Sequence, residues 1–194
     1  MADNFRVVII HGAYGSPEEN WLPWLAEELQ KQGREVLIPS FPTPKGQSLS
    51  TWRTSFSRQV GDLDKNMILV GHSLGVGFIL NLLEQSTSPV LGCFLVSAFV
   101  GLLGLPEFDL INASFISKEF DWKRIKANAG FVRVYNGDND PYVPLERGRE
   151  IAERLGVILT VIQGGGHINA SAGYTRFPKL LSDLTDLMSK HKAS

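Results

Sequence analysis

Short apolar runs that alternate with longer amphipathic stretches leave this chain one broad class of fold. "FRVVIIHG", "EVLIPS", "MILVGH", "VLGCFLVSA", "FVRVYNG" and "VILTVIQ" have the length of strands, and several are apolar at consecutive positions rather than at alternate ones. Strands of that kind are buried on both faces, as in a parallel sheet covered by helices. Between them the apolar residues recur at helical spacing. In "SPEENWLPWLAEELQKQG" Ser16 and Glu19 read as a capping box, Pro17 as the first helical residue and Gly33 as the end, with Trp21, Leu25 and Leu29 on one face. Further helices are expected from Ser50 to Leu63, with Trp52, Phe56 and Val60 in register, over "LGVGFILNLLEQ" and over "KEFDWKRIKAN". Two more run from Pro144 to Leu155, closed by Gly156, and through Phe177, Leu180, Leu184 and Leu187. The expectation is an α/β three-layer sandwich around a six-stranded parallel sheet with right-handed crossovers, residues 1–194 forming one domain. A chain of 194 residues buries about 70% of its unfolded surface, so no disulfide or metal staple is required.

Charge and cysteine content narrow the partners. Nineteen basic residues stand against twenty acidic ones, and no segment gathers Lys and Arg into a nucleic-acid footprint. Nucleic acid is not an expected partner. The lone Cys93, in "LGCFLVSAF", reads as a buried free thiol. "MADNFRVVII" lacks the basic start and long apolar core of a signal peptide, so the cytoplasm is the expected compartment. No residue between Glu84 and Glu107 is charged, which on hydropathy alone suggests a membrane span. Pro89 and Pro106 bracket that stretch and Gly92, Gly101 and Gly104 interrupt it, so a buried strand followed by an apolar loop is expected instead, and no membrane partner.

In a parallel sheet covered on both faces, ligands meet the protein beyond the carboxyl ends of the strands. The polar residues expected there are His11 with Gly12, the Pro39–Pro44 loop, Ser73, Ser97, Asp138 with Asp140, and His167. Ser73 stands where a strand turns directly into a helix, in "GHSLG". A serine in an apolar run is ordinarily a small core residue, and the pentapeptide alone is weak. In a strand, turn, helix context, however, G-x-S-x-G exposes the hydroxyl above the sheet with a helix N-terminus behind it. A nucleophilic serine needs a base, which in this chain order follows an acid. His11 precedes the serine, the side chain of His72 is expected to point elsewhere, and His191 lies in a polar tail. His167, in "VIQGGGHINA", ends a strand after the acidic loop and is the expected base rather than a structural histidine. The acid should come from "YNGDNDPYVP", where Asp138 and Asp140 both qualify and either reads equally as a turn or capping residue.

At this loop the chain resembles a known family. "NGDNDPYVP" is similar to the G-x-x-D-x-x-V-P loop of α/β-hydrolases, which aligns the aspartate with Asp140. With "HG" after the first strand, "ENWLPWL", the Pro39–Pro44 loop, Trp52, "GHSLG", "DPYVP" and "GGGH", the whole chain resembles the retinoblastoma-binding protein 9 family of small serine hydrolases. The resemblance implies an α/β-hydrolase fold with no large lid and a triad on Ser73, Asp140 and His167. It also implies an oxyanion hole of backbone N–H groups from Leu74 and the first loop, Ala13 ahead of Tyr14. The human namesake's L-x-C-x-E motif is not reproduced, since "LGCFL" has Leu95 in place of the glutamate. That protein interaction is not carried over, and no other protein partner is indicated.

The reaction expected is hydrolysis of a carboxylic ester, or less readily an amide, of a small acyl substrate, without metal or cofactor. Tyr14, Phe41, Phe99, Phe115 and Trp122 lie on or near the strand-end loops and are candidates to line an apolar pocket, or equally to be core aromatics. Two rivals keep the fold: an interaction module with a vestigial site, and a haloperoxidase-like perhydrolase with the same triad. An intact serine, aspartate and histidine in the right order weighs against the first.

Overall fold

A computed structural model describes residues 5–192. The chain runs β1 (Arg6–Ile10), α1 (Leu22–Lys31), β2 (Glu35–Leu37), α2 (Leu49–Gln59), β3 (Met67–His72), α3 (Leu74–Gln85) and β4 (Gly92–Val96). It continues through α4 (Pro106–Ile116), α5 (Trp122–Asn128), β5 (Phe131–Gly137), α6 (Leu145–Leu155), β6 (Leu159–Ile162) and α7 (Pro178–Lys192). The strands form one six-stranded sheet in the order β2-β1-β3-β4-β5-β6, every neighbouring pair parallel.

Alternation along each strand divides the core in two. Val7, Ile9, Ile68, Val70, Phe94 and Val96 face α1 and α7, where Leu25, Leu29, Leu180 and Leu184 close against them. Val8, Ile10, Leu69, Cys93 and Leu95 point the other way, into a layer supplied by α2 through α6. This is the expected three-layer arrangement. The uncharged stretch after Glu84 supplies β4, which pairs with β3 on one side and β5 on the other. Cys93 and Leu95 are therefore interior, the Cys93 thiol has its pKa pushed up by burial, and "LGCFL" presents no docking edge. Among the described residues no helix is long and apolar enough to cross a membrane.

Three helices depart from the sequence reading. α1 starts at Leu22 rather than after Ser16, because Ser16–Glu19 closes a separate turn, in which the Ser16 carbonyl accepts the Glu19 N–H at 3.4 Å, and Asn20 then takes φ 56°. Pro23, not Pro17, occupies the first turn of the helix. α2 ends at Gln59, short of Leu63, with Gly61 at φ 91° two residues on. α5 begins at Trp122, four residues later than expected, because the Asp121 carboxylate accepts the Arg124 N–H and caps the helix there.

α4 lies where the sequence reading assigned no element. Pro106 sits in its first turn with Glu107 and Asp109, and the Asp109 carboxylate accepts the N–H groups of Leu103 and Gly104 at 2.7 and 2.9 Å. The helix packs on α3 at Gly77, where an added Cβ would meet Ile116 Cγ2 at 3.2 Å. It stands beside the carboxyl ends of the strands and supplies one wall of the site.

Candidate active site

Ser73 sits between the last residue of β3 and the first of α3 at φ 56° and ψ −122°. A side chain in that region stores about 1–3 kcal/mol of strain, which the surroundings must hold. They do so by crowding. The Ser73 N–H is fixed to the Val96 carbonyl at 2.9 Å, and a Cβ on Gly75 would stand 2.5 Å from the Ile10 carbonyl oxygen. Gly12 lies against the serine itself, where a Cβ would come within 2.9 Å of Ser73 Cβ. The glycines around the turn are thus required by close approach of backbone.

The first loop is oriented from below by His11. Its Nδ1–H donates to the Gly12 carbonyl at 2.8 Å, and its Nε2 accepts the Phe41 N–H at 3.2 Å. A neutral ring satisfies both, and burial lowers the His11 pKa in the same sense. Gly15 N–H also reaches the Gly12 carbonyl, at 3.3 Å. In a planar trans peptide the Ala13 N–H then points the opposite way. Among the described residues neither Ala13 N–H nor Leu74 N–H has a hydrogen-bond partner, whereas the Tyr14 N–H is held by Thr43 Oγ at 2.7 Å.

His167 follows β6 on the glycine loop, and its Nδ1 meets Asp140 Oδ2 at 2.7 Å. The Asp140 side chain is fully buried, with Oδ1 accepting the N–H groups of Tyr142 and Val143 at 2.9 and 3.0 Å. Asp138 does something else: its Oδ1 accepts the Gly164 N–H at 2.8 Å, and Asn139 Oδ1 accepts the Gly166 N–H at 2.7 Å. The pair ties the loop after β5 to the glycine loop without touching the imidazole. His167 Nε2 has no hydrogen-bond partner among the described residues.

The backbone beneath His167 is anchored by groups the sequence reading did not assign to it. The His167 carbonyl accepts from Ser97 Oγ at 2.8 Å and from His72 Nε2–H at 2.9 Å, and the Ile168 carbonyl accepts from Trp21 Nε1–H at 2.9 Å. The His72 ring lies 5.0 Å from that of His167, and the Tyr142 ring 5.2 Å from it. Contrary to the expectation that it points elsewhere, His72 supports the neighbouring loop and borders the site. Its adjacency to Ser73 concealed this, because β3 ends there and the side chain turns toward the β6 side.

Burial pushes the His72 pKa from 6.5 down to about 3, with the nearby His167 ring adding to the shift. The unfolded chain therefore takes up this proton first. His72 contributes its full stability above pH 6.5, and the contribution is lost as pH falls from there toward 3. At pH 5 the expected loss from this one group is about 2 kcal/mol. Urea unfolding at pH 7 and pH 5 should show that loss in the unmodified protein and little of it in His72→Gln. Equal pH slopes in the two would contradict the assignment.

Ser73, His167, His72, Gly12 and Ala13 line one cavity of about 440 Å³. Its apolar lining comprises Phe99, Leu103, Phe108, Tyr142 and Val143, with Asn112 one turn from Phe108 on α4 and Tyr142 packed on Phe108, and its polar lining includes Glu19, Asn20, Asn169 and Ser171. Of the candidate pocket aromatics, Tyr14 and Phe99 are there. Phe41, Phe115 and Trp122 are not. Phe41 stacks on Trp52 at 4.5 Å and Phe115 meets the Trp52 edge at 5.0 Å, both inside the core because their segments fold inward under the strand ends. Trp122 faces a different cavity with Phe120, Arg147 and Arg154. Phe108 and Asn112, four apart on one face of α4, were missed. Pro106 followed by Glu107 and Asp109 was the available signal for that helix.

The chain is similar over nearly its whole length to known proteins. It is 32% identical to YdeN of Bacillus subtilis (strain 168) over 187 residues, covering 95% of this chain and 97% of that one. Its structure superposes on the crystal structure of the ydeN gene product with a TM-score of 0.88 at 31% identity, over 96% of this chain and 100% of the other. Serine hydrolase RBBP9 of Rattus norvegicus is 27% identical over 170 residues, 86% of this chain and 89% of the relative. The architecture is the α/β-hydrolase fold, and residues 7–186 match the serine hydrolase family model. With its fold, its length and its sequence all accounted for by that match, the chain belongs to the serine hydrolase family.

Proposed function

We propose that this hydrolase cleaves a carboxylic ester of a small acyl substrate through an acyl-enzyme on Ser73, with His167 as general base and Asp140 as its partner. The observation that carries the reading is the 2.7 Å contact between His167 Nδ1 and the buried Asp140 carboxylate, in a cavity shared with the strained Ser73. Asp140 keeps the proton on Nδ1, which leaves the Nε2 lone pair to take the Ser73 proton as Oγ attacks the acyl carbonyl. The developing oxyanion is received by the free N–H groups of Leu74 and Ala13. Collapse breaks the ester bond, and His167 returns its proton to the departing alkoxide. Water then adds to the acyl-enzyme, losing its proton to His167, and collapse of the resulting intermediate breaks the acyl–Oγ bond, releasing the acid as His167 returns that proton to Ser73 Oγ.

Hydrolysis of p-nitrophenyl acetate, followed with and without hydrogen peroxide, tests the reading. Turnover that is independent of peroxide is expected. Peracid formation exceeding hydrolysis would make the protein a perhydrolase, and no turnover of any short activated ester or anilide would favour the interaction module.

A further inference from the structure

The apolar lining of the cavity contains one buried amide whose orientation can be deduced. Asn112 is 2% exposed and faces the cavity from α4. Gln47 Nε2 lies 2.9 Å from the Ile111 carbonyl, which only accepts, so this atom of Gln47 is the donor. The same Nε2 lies 2.9 Å from Asn112, which makes the facing atom Oδ1. On its other side Gln47 Oε1 accepts the Thr43 hydroxyl at 2.5 Å, and Thr43 Oγ in turn accepts the Tyr14 N–H at 2.7 Å. Every direction in this chain is fixed. What Asn112 turns to the cavity is therefore Nδ2, whose two N–H groups have no partner among the described residues.

The Asn112 side chain is buried, yet Nδ2 is not one of the fully enclosed unpartnered atoms, so this donor opens on the cavity and can bond a ligand atom or water there. Phe108, one turn before Asn112 on α4, lines the cavity with it and carries Tyr142 against its ring, Phe99, Leu103 and Val143 are also in the lining, and no Lys or Arg borders the cavity among the described residues. The environment suits a neutral acceptor carried on an apolar group, and not a carboxylate. We propose that Asn112 is a specificity-determining residue, whose amide selects substrates bearing a ketone, ether or second ester oxygen on the apolar group lying against this lining. For turnover, though not for binding, the inference rests on the hydrolase reading above.

Matched ligands test it. Alkyl esters are compared with analogues in which one chain methylene is replaced by a carbonyl, placed in the acyl chain in one series and in the alcohol chain in another. Their Kd values are measured on Ser73→Ala, where no turnover interferes, with and without Asn112→Leu. The oxo analogue should bind about tenfold better relative to its parent when Asn112 is present, and that advantage should vanish with leucine. Asn112→Asp, which keeps the acceptor for Gln47 and replaces the donor, should reverse the preference at pH 8 and covers the case in which the leucine variant is unstable. The kcat/KM ratios of the Ser73 enzyme should move in parallel. An oxo preference unchanged by Asn112→Leu and Asn112→Asp in both series, or absent from the start, overturns the inference. Ester turnover by the Ser73 enzyme with that result leaves the hydrolase reading intact, while the predicted binding ratios without turnover would defeat the hydrolase reading alone.

Discussion

Ser73→Ala and His167→Ala are each expected to lower kcat on an activated ester by about 10⁶-fold, with the double variant no worse than either single one. The expectation follows from their acting as one unit: without the base the hydroxyl is a poor nucleophile, and without the hydroxyl the base has no proton to take. Neither loss should come from unfolding. Ser73 Oγ makes no hydrogen bond among the described residues, and its backbone stays tied to Val96 whatever the side chain. In His167→Ala the Asp140 carboxylate keeps the Tyr142 and Val143 amides, and the loop keeps its bonds from Ser97, His72 and Trp21. Initial rates on p-nitrophenyl acetate together with thermal melts check both parts. A folded Ser73→Ala within tenfold of the parent would contradict the mechanism.

The second large effect separates two aspartates two residues apart. Asp140→Asn is expected to lower kcat by about 10⁴-fold, whereas Asp138→Asn should cost about tenfold or less. In Asp140→Asn the amide oxygen remains on the Tyr142 and Val143 N–H groups, so Nδ2 is the atom left facing His167 Nδ1. Being a donor, it stabilises the tautomer protonated on Nε2, which cannot take the Ser73 proton. An asparagine at 138 still offers its oxygen to the Gly164 N–H, so the loop retains its tie. The two variants are compared by kcat on one ester, with circular dichroism to confirm that both fold. If Asp138→Asn is the silent one, the acid has been assigned two residues too late.

The elements whose ends are marked by glycine or by a change of hydrophobic period were legible in the sequence. β3, α3 and β5 run over the residues that "MILVGH", "LGVGFILNLLEQ" and "FVRVYNG" indicate, and Gly156 closes α6 in the left-handed conformation. The start of α1 was not legible, because Ser16–Pro17 and Trp21–Pro23 offer competing helix signals and only packing of Trp21 under Ile168 chooses between them. α4 was hidden by an uncharged approach and by Asn112 at an inward position, where a periodic reading looks for an apolar residue. That Asp140 rather than Asp138 meets His167 could be anticipated only from the resemblance of "NGDNDPYVP" to the hydrolase loop, since both aspartates read alike in the local pattern. The contribution of His72 could not, since a donor to a carbonyl 95 residues away leaves no local pattern. Pocket aromatics were the least legible, as Phe41 shows: a loop residue becomes core when its backbone N–H is drawn under the site by His11.

Covalent labelling tests the central claim that Ser73 is an activated nucleophile. Intact protein is treated with a fluorophosphonate, its mass measured, and the modified peptide sequenced by tandem mass spectrometry. One adduct per chain on Ser73 is expected, absent from Ser73→Ala and strongly slowed in His167→Ala. Folded protein that stays unmodified, while a known serine hydrolase in the same tube reacts to completion, would contradict it.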